Sequence, residues 1–142
     1  MTFQALAPIH KEPTLSPLFT VPVPAGRAIA IEQQSEFIDI EEYIRNGARS
    51  VGYLRVIGDS MIESRIEDGD LLTIEPADSA KAGDVVVVEI NGEYTVKRLS
   101  QHSHGLYLVP ANDRYPIRKI HRYDQFRVLA IVKSVIHRFQ RF

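Results

Sequence analysis

Apolar positions are distributed differently in the two parts of this chain, and the change falls near residue 50. From residue 51 onward, short apolar runs and alternating apolar and polar positions predict strands at 51–57, 71–75, 85–90, 94–99, 106–109 and 126–135. Between two of them stands Asn91-Gly92, a pair that readily takes the positive φ angles of a tight hairpin turn, so Lys97 is expected on the returning strand. Ahead of the strands, Asp39 is placed to cap a short helix over 40–45, with Glu41 and Glu42 in the first turn and Asn46-Gly47 to stop it.

Residues 1–36 show neither a sustained period of 2 nor one of 3.6, and they carry Pro8, Pro13, Pro17, Pro22 and Pro24. Proline removes an amide donor and pushes the residue before it out of the α region, so this segment reads as an extended, flexible arm. Within it, Gly26 beside Ala25 removes side-chain obstruction and makes Ala25-Gly26 a candidate scissile pair. The expected organisation is therefore an arm over 1–36 and a single domain over 37–142, to which catalysis and dimerisation are assigned on the grounds given below. The fold class is mostly β, with a short helix and an extended N-terminal arm.

A length of 142 residues suits one hydrophobic core. The near-neutral total conceals a polarity along the chain: residues 1–96 have a formal charge of −9 and residues 97–142 one of +8. Because the basic positions are spread through predicted strands, they do not form a recognition helix, and no sequence-specific DNA reader is expected. The chain has no cysteine, which excludes disulfides, thiol catalysis and cysteine metal clusters. No apolar run approaches the roughly 18 residues that cross a bilayer, and the N-terminus lacks a basic segment followed by an apolar one; a cytoplasmic protein without membrane contact is expected. Zinc-hydrolase, phosphate-loop and dinucleotide patterns are missing, so no metal or cofactor is expected. His102 and His104 flank Ser103 in a polar hairpin and are read as loop residues. His10, His121 and His137 have no evident partners.

The candidate chemistry lies in Ser60 and Lys97, 37 residues apart. Taken singly, a serine after Gly58-Asp59 is an ordinary turn residue and a strand lysine an ordinary solvated one. Taken together they supply the two groups that peptide hydrolysis requires, a hydroxyl nucleophile and an amine able to accept its proton. The amine must be neutral to act, and an apolar surrounding lowers its pKa toward that state. Backbone N–H groups of Asp59 and Ser60 are candidate donors to the oxyanion, Asp59 itself being read as structural. Met61 is a candidate wall of the substrate pocket. Gly69-Asp70 and Gly83-Asp84 read as turns in which aspartate caps local amides. Tyr94, Tyr107, Tyr115, Tyr123 and Phe126 read as core or interface residues.

The ordered set Ser16-Pro17-Leu18-Phe19, Ala25-Gly26, Gly58-Asp59-Ser60-Met61, Glu67-Asp68-Gly69-Asp70-Leu71-Leu72, Ala82-Gly83-Asp84-Val85-Val86 and Gly92-Glu93-Tyr94-Thr95-Val96-Lys97 resembles the LexA-like self-cleaving S24 serine peptidases, in particular their UmuD-like branch. The resemblance spans most of the chain. It implies the LexA/UmuD-like catalytic β-fold and a cut between Ala25 and Gly26 stimulated by a RecA–single-stranded DNA filament. It also implies Ser60 as nucleophile, Lys97 as general base, and a product of 117 residues beginning at Gly26. The implied partners are a second copy of the chain and a Y-family DNA polymerase of the UmuC type, which the cleaved form regulates in translesion synthesis. The 25 residues ahead of the cut are too few for the DNA-binding domain of a LexA repressor. The alternative is a noncatalytic polymerase-regulatory scaffold that keeps a peptidase-like fold.

Overall fold

The computed structural model describes residues 12–19, 25–26 and 35–140. Pro8, His10, Pro22 and Pro24 lie outside them. The architecture is mostly β. In chain order it runs β1 (Leu15–Phe19), β2 (Ser35–Asp39), α1 (Ile40–Arg45), β3 (Gly52–Arg55), a 3₁₀ turn (Ile62–Ser64), β4 (Leu71–Pro76), β5 (Val85–Ile90), β6 (Glu93–His102), β7 (Gly105–Val109), β8 (Arg118–Lys119) and β9 (Phe126–Ile136). The strands form two sheets, a ribbon of β1 and β2 and a seven-stranded sheet in the order β3-β4-β9-β5-β6-β7-β8. All the pairings are antiparallel.

The strand β5 explains where the core sits. Its sequence, VVVVEI, is apolar at successive positions, which suits a strand buried on both faces. Val86, Val88 and Ile90 enter a cluster with Leu99, Leu108 and Val128. Val87 faces the other way, into a cluster with Met61, Ile66, Leu72, Ile74 and Leu129. Period-2 geometry thus divides one strand between two apolar layers. The sheet can cover both because it curls: β9 carries bulges opposite the Thr73/Ile74 step of β4 and the Val87/Val88 step of β5. An extra residue on one strand bends it and raises its local twist.

The terminal apolar run 126–136 lies between β4 and β5, and its Val128, Leu129 and Ala130 are buried. These residues fill the core of the single chain, leaving Val135 as the exposed large hydrophobic of that strand.

Local signals account for the connections. Asn91 and Gly92 have φ of 51° and 81°, as a two-residue hairpin turn requires, and Ile90 pairs with Glu93 across it. Counting back from that turn sets Val86 opposite Lys97, so the turn fixes the height of Lys97 on the sheet. Asp39 caps α1 by accepting from Glu42 N–H at 3.2 Å, and Asn46 ends it in the left-handed region. The helix is tied to β9 by Asn46 Nδ2 donating to the Lys133 carbonyl at 3.0 Å and by Ser134 Oγ donating to the Ile44 carbonyl.

The ribbon was not evident from periodicity. β1 pairs with β2 from Leu15↔Asp39 to Phe19↔Ser35, and this pairing crosses position 36, where the arm was expected to end. Pro17 is tolerated because each strand of a two-stranded ribbon has an open edge needing no donor. The side chains of β1 are exposed, so burial imposed no alternation on the sequence. Among the described residues, no helix is long and apolar enough to cross a membrane, and no group of three or more His, Cys, Asp or Glu is arranged to hold a metal ion.

Candidate functional site

Lys97 is on β6 and Ser60 on the loop after β3, and the fold brings them together: Lys97 Nζ lies 2.8 Å from Ser60 Oγ. The same nitrogen is 2.6 Å from Thr95 Oγ1 and 3.0 Å from the Val96 carbonyl oxygen. Thr95 and Lys97 are two residues apart on one strand and so share a face of the sheet. Burial holds the Lys97 amine below its ordinary pKa by removing water from the charged form.

Three neighbours suit both states of that amine. A neutral amine has two N–H bonds and one lone pair. Donating to Thr95 Oγ1 and the Val96 carbonyl leaves the lone pair to accept from the Ser60 hydroxyl. After taking that proton, the ammonium has three donors and three acceptors in place. The arrangement can therefore accept a proton without rebuilding its hydrogen bonds.

The loop carrying Ser60 is held from two sides. On one side the turn at 67–70 supports it. Glu67 N–H donates to Asp70 Oδ2 at 2.8 Å, Val56 N–H to the Asp70 carbonyl at 2.9 Å and Gly69 N–H to the Val56 carbonyl at 2.8 Å. Gly58 N–H donates to Asp68 Oδ1 at 2.7 Å. Gly58 sits at φ +95°, a conformation in which a side chain would clash with the backbone. The turn at 67–70 is itself tied to the end of β9, because His137 Nδ1 lies 2.6 Å from Asp70 Oδ1 and 3.5 Å from Glu67 Oε2. The hydrogen bond to Asp70 raises the His137 pKa above its ordinary value.

On the other side, the segment 111–115 grips the loop. Asn112 Nδ2 donates to the Asp59 carbonyl at 2.9 Å, Ala111 N–H to the Ser60 carbonyl at 2.8 Å, and Tyr115 Oη to Asp59 Oδ1 at 2.5 Å. Beneath the loop, Met61 and Ile66 are 3% and 2% exposed and anchor it in the core. The Asp59 and Ser60 N–H groups make no hydrogen bond among the described residues.

Two clefts flank the pair. One of about 280 Å³ is walled by Leu54, Val56, Ile57, Met61 and Val96 and reaches Ser60. The other, of about 300 Å³, is lined by Glu93, Tyr94, Lys97, Tyr115 and Arg118. A larger concavity of about 630 Å³ lies away from both residues, between Arg55, Asp68 and the 136–140 segment. Met61 thus has two placements at once, core and cleft wall. Ala25 and Gly26 form an exposed bend and are not among the residues lining either cleft, and a Cβ built on Gly26 meets nothing within 4 Å.

Several other residues are now placed. Asp70 and Asp84 cap local amides, Asp84 by accepting from Lys81 N–H at 2.9 Å. His102 lies 2.9 Å from Ser100 Oγ and packs edge-on against Tyr107, and His104 is exposed. Tyr94, Tyr115 and Tyr123 are exposed, whereas Tyr107 and Phe126 are half-buried. Thr95, Asp68, Asn112, His137 and the Tyr115 contact with Asp59 did not emerge from the sequence. Only the proximity of Thr95 to Lys97 offered a signal there, since residues two apart on a strand share a face.

The family described as Peptidase S24-like matches residues 17–133. Protein SamA of Salmonella typhimurium is 34% identical over 132 residues, covering 91% of this chain and 91% of SamA. Protein ImpA of Escherichia coli is 32% identical over 123 residues, covering 86% of this chain and 83% of ImpA. The LexA repressor of Syntrophobacter fumaroxidans is 35% identical over 138 residues, covering 96% of this chain and 65% of the repressor.

Proposed function

Because the chain belongs to the Peptidase S24-like family, we propose that it is a UmuD-like self-cleaving serine peptidase of the SOS response. It cuts its own Ala25-Gly26 bond when a RecA–single-stranded DNA filament forms, and the cleaved form then regulates an error-prone Y-family polymerase of the UmuC type in the cytoplasm. The observation that carries this reading is the 2.8 Å approach of a half-buried, pKa-lowered Lys97 amine to Ser60 Oγ. The near end-to-end matches to SamA and ImpA support the UmuD-like branch.

In this reading Ser60 Oγ attacks the Ala25 carbonyl carbon while Lys97 Nζ takes the hydroxyl proton. The N–H groups of Ser60 and Asp59 receive the developing oxyanion. As the tetrahedral intermediate collapses, Lys97 returns the proton to the Gly26 nitrogen, which leaves as a new amino terminus. Water, deprotonated by the same amine, then releases Ala25 from Ser60. The apolar cleft beside Ser60 and Met61 takes the chain before the bond. The cleft beside Lys97 takes the chain after it, because the departing nitrogen must face the group that protonates it.

In the structure the bend at 25–26 lies outside both clefts, so cleavage requires the arm to dock. A filament that stabilises the docked arm accelerates cleavage by raising the population of that conformer. The exposed apolar side chains of Leu15, Leu18, Phe37, Ile40 and Tyr43 support a homodimer interface on the ribbon and α1.

The test is purified protein incubated with RecA, single-stranded DNA and a nucleotide that keeps the filament active, followed by intact mass and N-terminal sequencing. The expected product begins at Gly26. Cutting at another bond rejects the assigned site, and an unchanged intact mass favours the noncatalytic scaffold.

A further inference from the structure

The catalytic reading leaves a geometric question: what aims the N–H of Ser60, a backbone donor, at the oxyanion? We infer that Asn112, supported by Tyr115, is the positioning residue for this donor, acting through the carbonyl of Asp59. The inference rests on the Ser60–Lys97 reading above and adds to it the residue that orients the oxyanion site.

The argument starts from the peptide plane. The Asp59 carbonyl and the Ser60 N–H belong to one peptide unit, planar and trans, so they point in opposite directions. Whatever fixes the direction of that carbonyl also fixes the direction of that N–H. Asn112 Nδ2 donates to the Asp59 oxygen at 2.9 Å, and Ile62 N–H donates to it at 3.2 Å from within the same loop. With its oxygen held on the 111–115 side, the unit turns its N–H away from that segment. The next unit is held too, by Ala111 N–H on the Ser60 carbonyl at 2.8 Å. Ser60 is thus clamped at both flanking peptides by consecutive residues of one segment, while its own N–H remains unpaired among the described residues.

The clamp has a rigid base. Arg114 N–H donates to Asn112 Oδ1 at 3.0 Å, which fixes the amide so that its NH₂ faces Asp59. Tyr115 N–H donates to the Asn112 carbonyl at 3.0 Å, and Glu63 N–H to the Ala111 carbonyl at 2.8 Å. Tyr115 Oη then restrains the Asp59 side chain, preventing rotation about the peptide from the other end. That hydrogen bond raises the Tyr115 pKa, so the phenol stays a donor into the alkaline range where Lys97 becomes neutral. Preorganisation is the physical gain: a donor already aimed costs no reorganisation when negative charge develops.

The test compares self-cleavage of full-length wild type with Asn112→Asp, Asn112→Gln and Tyr115→Phe across pH, with folding checked by circular dichroism. Asn112→Asp keeps shape but loses the amide donor. It is expected to lower the plateau rate at least about tenfold, short of the roughly 10²–10³-fold loss when an oxyanion donor is removed outright. In Asn112→Gln and Tyr115→Phe, which add no charge, the pH midpoint should stay where wild type has it; Asn112→Asp adds a carboxylate that raises the Lys97 pKa, so for it the plateau alone is compared. Asn112→Gln, which retains the amide, should recover part of the rate, and Tyr115→Phe should show a smaller loss of the same kind.

A folded Asn112→Asp protein that cleaves at the wild-type plateau overturns the inference. So does a loss in Tyr115→Phe that comes with a displaced midpoint, since the lysine would then be what changed. If Asn112→Asp fails to fold, Tyr115→Phe decides alone by the same criteria. A wild-type chain that does not cleave at all overturns the catalytic reading instead, which separates the two failures.

Discussion

Lys97 is unusual less for its position than for its company: an amine in contact with one hydroxyl nucleophile, one threonine hydroxyl and one carbonyl, with part of its water removed. Replacing Ser60 or Lys97 by alanine is expected to abolish self-cleavage while leaving the circular dichroism of the fold intact. Thr95→Val, which keeps the shape but not the acceptor, should slow cleavage by about tenfold, the scale of one net hydrogen bond.

The pH dependence has a definite sign. In the proposed reaction Lys97 acts when neutral, and its folded pKa lies below 10.5, so the rate should rise with pH through a midpoint below that value and then level off. Rates measured across pH 6 to 11 by densitometry check this, and a rate falling with pH contradicts a lysine base. At this scale the sequence pointed to Ser60 and Lys97 but not to their neighbours, because Asn112 and Asp68 act through contacts 53 and 10 residues away that no local pattern encodes.

Among the elements, the loop at 56–60 and the hairpin at 90–93 place Ser60 and Lys97. Gly58 has φ +95° with open space around its Cα, so alanine there costs backbone strain alone, about 1–2 kcal/mol. Gly58→Ala should lower the midpoint of chemical denaturation accordingly and slow cleavage further, because relief of the strain turns the Asp59-Ser60 peptide.

His137 supplies a pH-dependent tie to the turn at 67–70. Its folded pKa is raised, so its contribution to stability is complete below its ordinary value of 6.5 and is lost as pH rises through the folded pKa. NMR titration should place the imidazole above 6.5, and His137→Gln should flatten the stability profile across that window. The hairpin was legible because Asn-Gly encodes its own turn, and α1 because its caps are adjacent in sequence. The ribbon of β1 and β2 was not, since its exposed side chains obey no burial pattern and its strands are separated by residues 20–34.

For the whole molecule, the homodimer proposal rests on exposed apolar surface. The apolar run 126–136 lies between β4 and β5, with Val128, Leu129 and Ala130 buried in the core. Leu15, Leu18, Phe37, Ile40 and Tyr43 form one group of exposed apolar side chains, on the ribbon and α1, and the homodimer proposal is placed there. Sedimentation equilibrium at micromolar concentration should give twice the chain mass, and Phe37→Asp with Tyr43→Asp should shift it toward a monomer of 16.1 kDa. A dimer undisturbed by both changes would place the interface elsewhere.

The sequence by itself determined what depends on near neighbours: the strands of the seven-stranded sheet from β3 to β9 apart from β8, the helix with its caps, the tight turn, and the register that sets Lys97 opposite Val86. Ser60 and Lys97 could be paired by chemical type, since hydrolysis needs a nucleophile and a base. Only the tertiary structure decided how the pair is held. The curl of β9, the grip of 111–115 on Asp59 and Ser60, the support of Gly58 by Asp68 and the tie from His137 to Asp70 all join residues that local propensity treats as independent. Such contacts depend on the relative placement of whole elements, set by packing around two apolar layers.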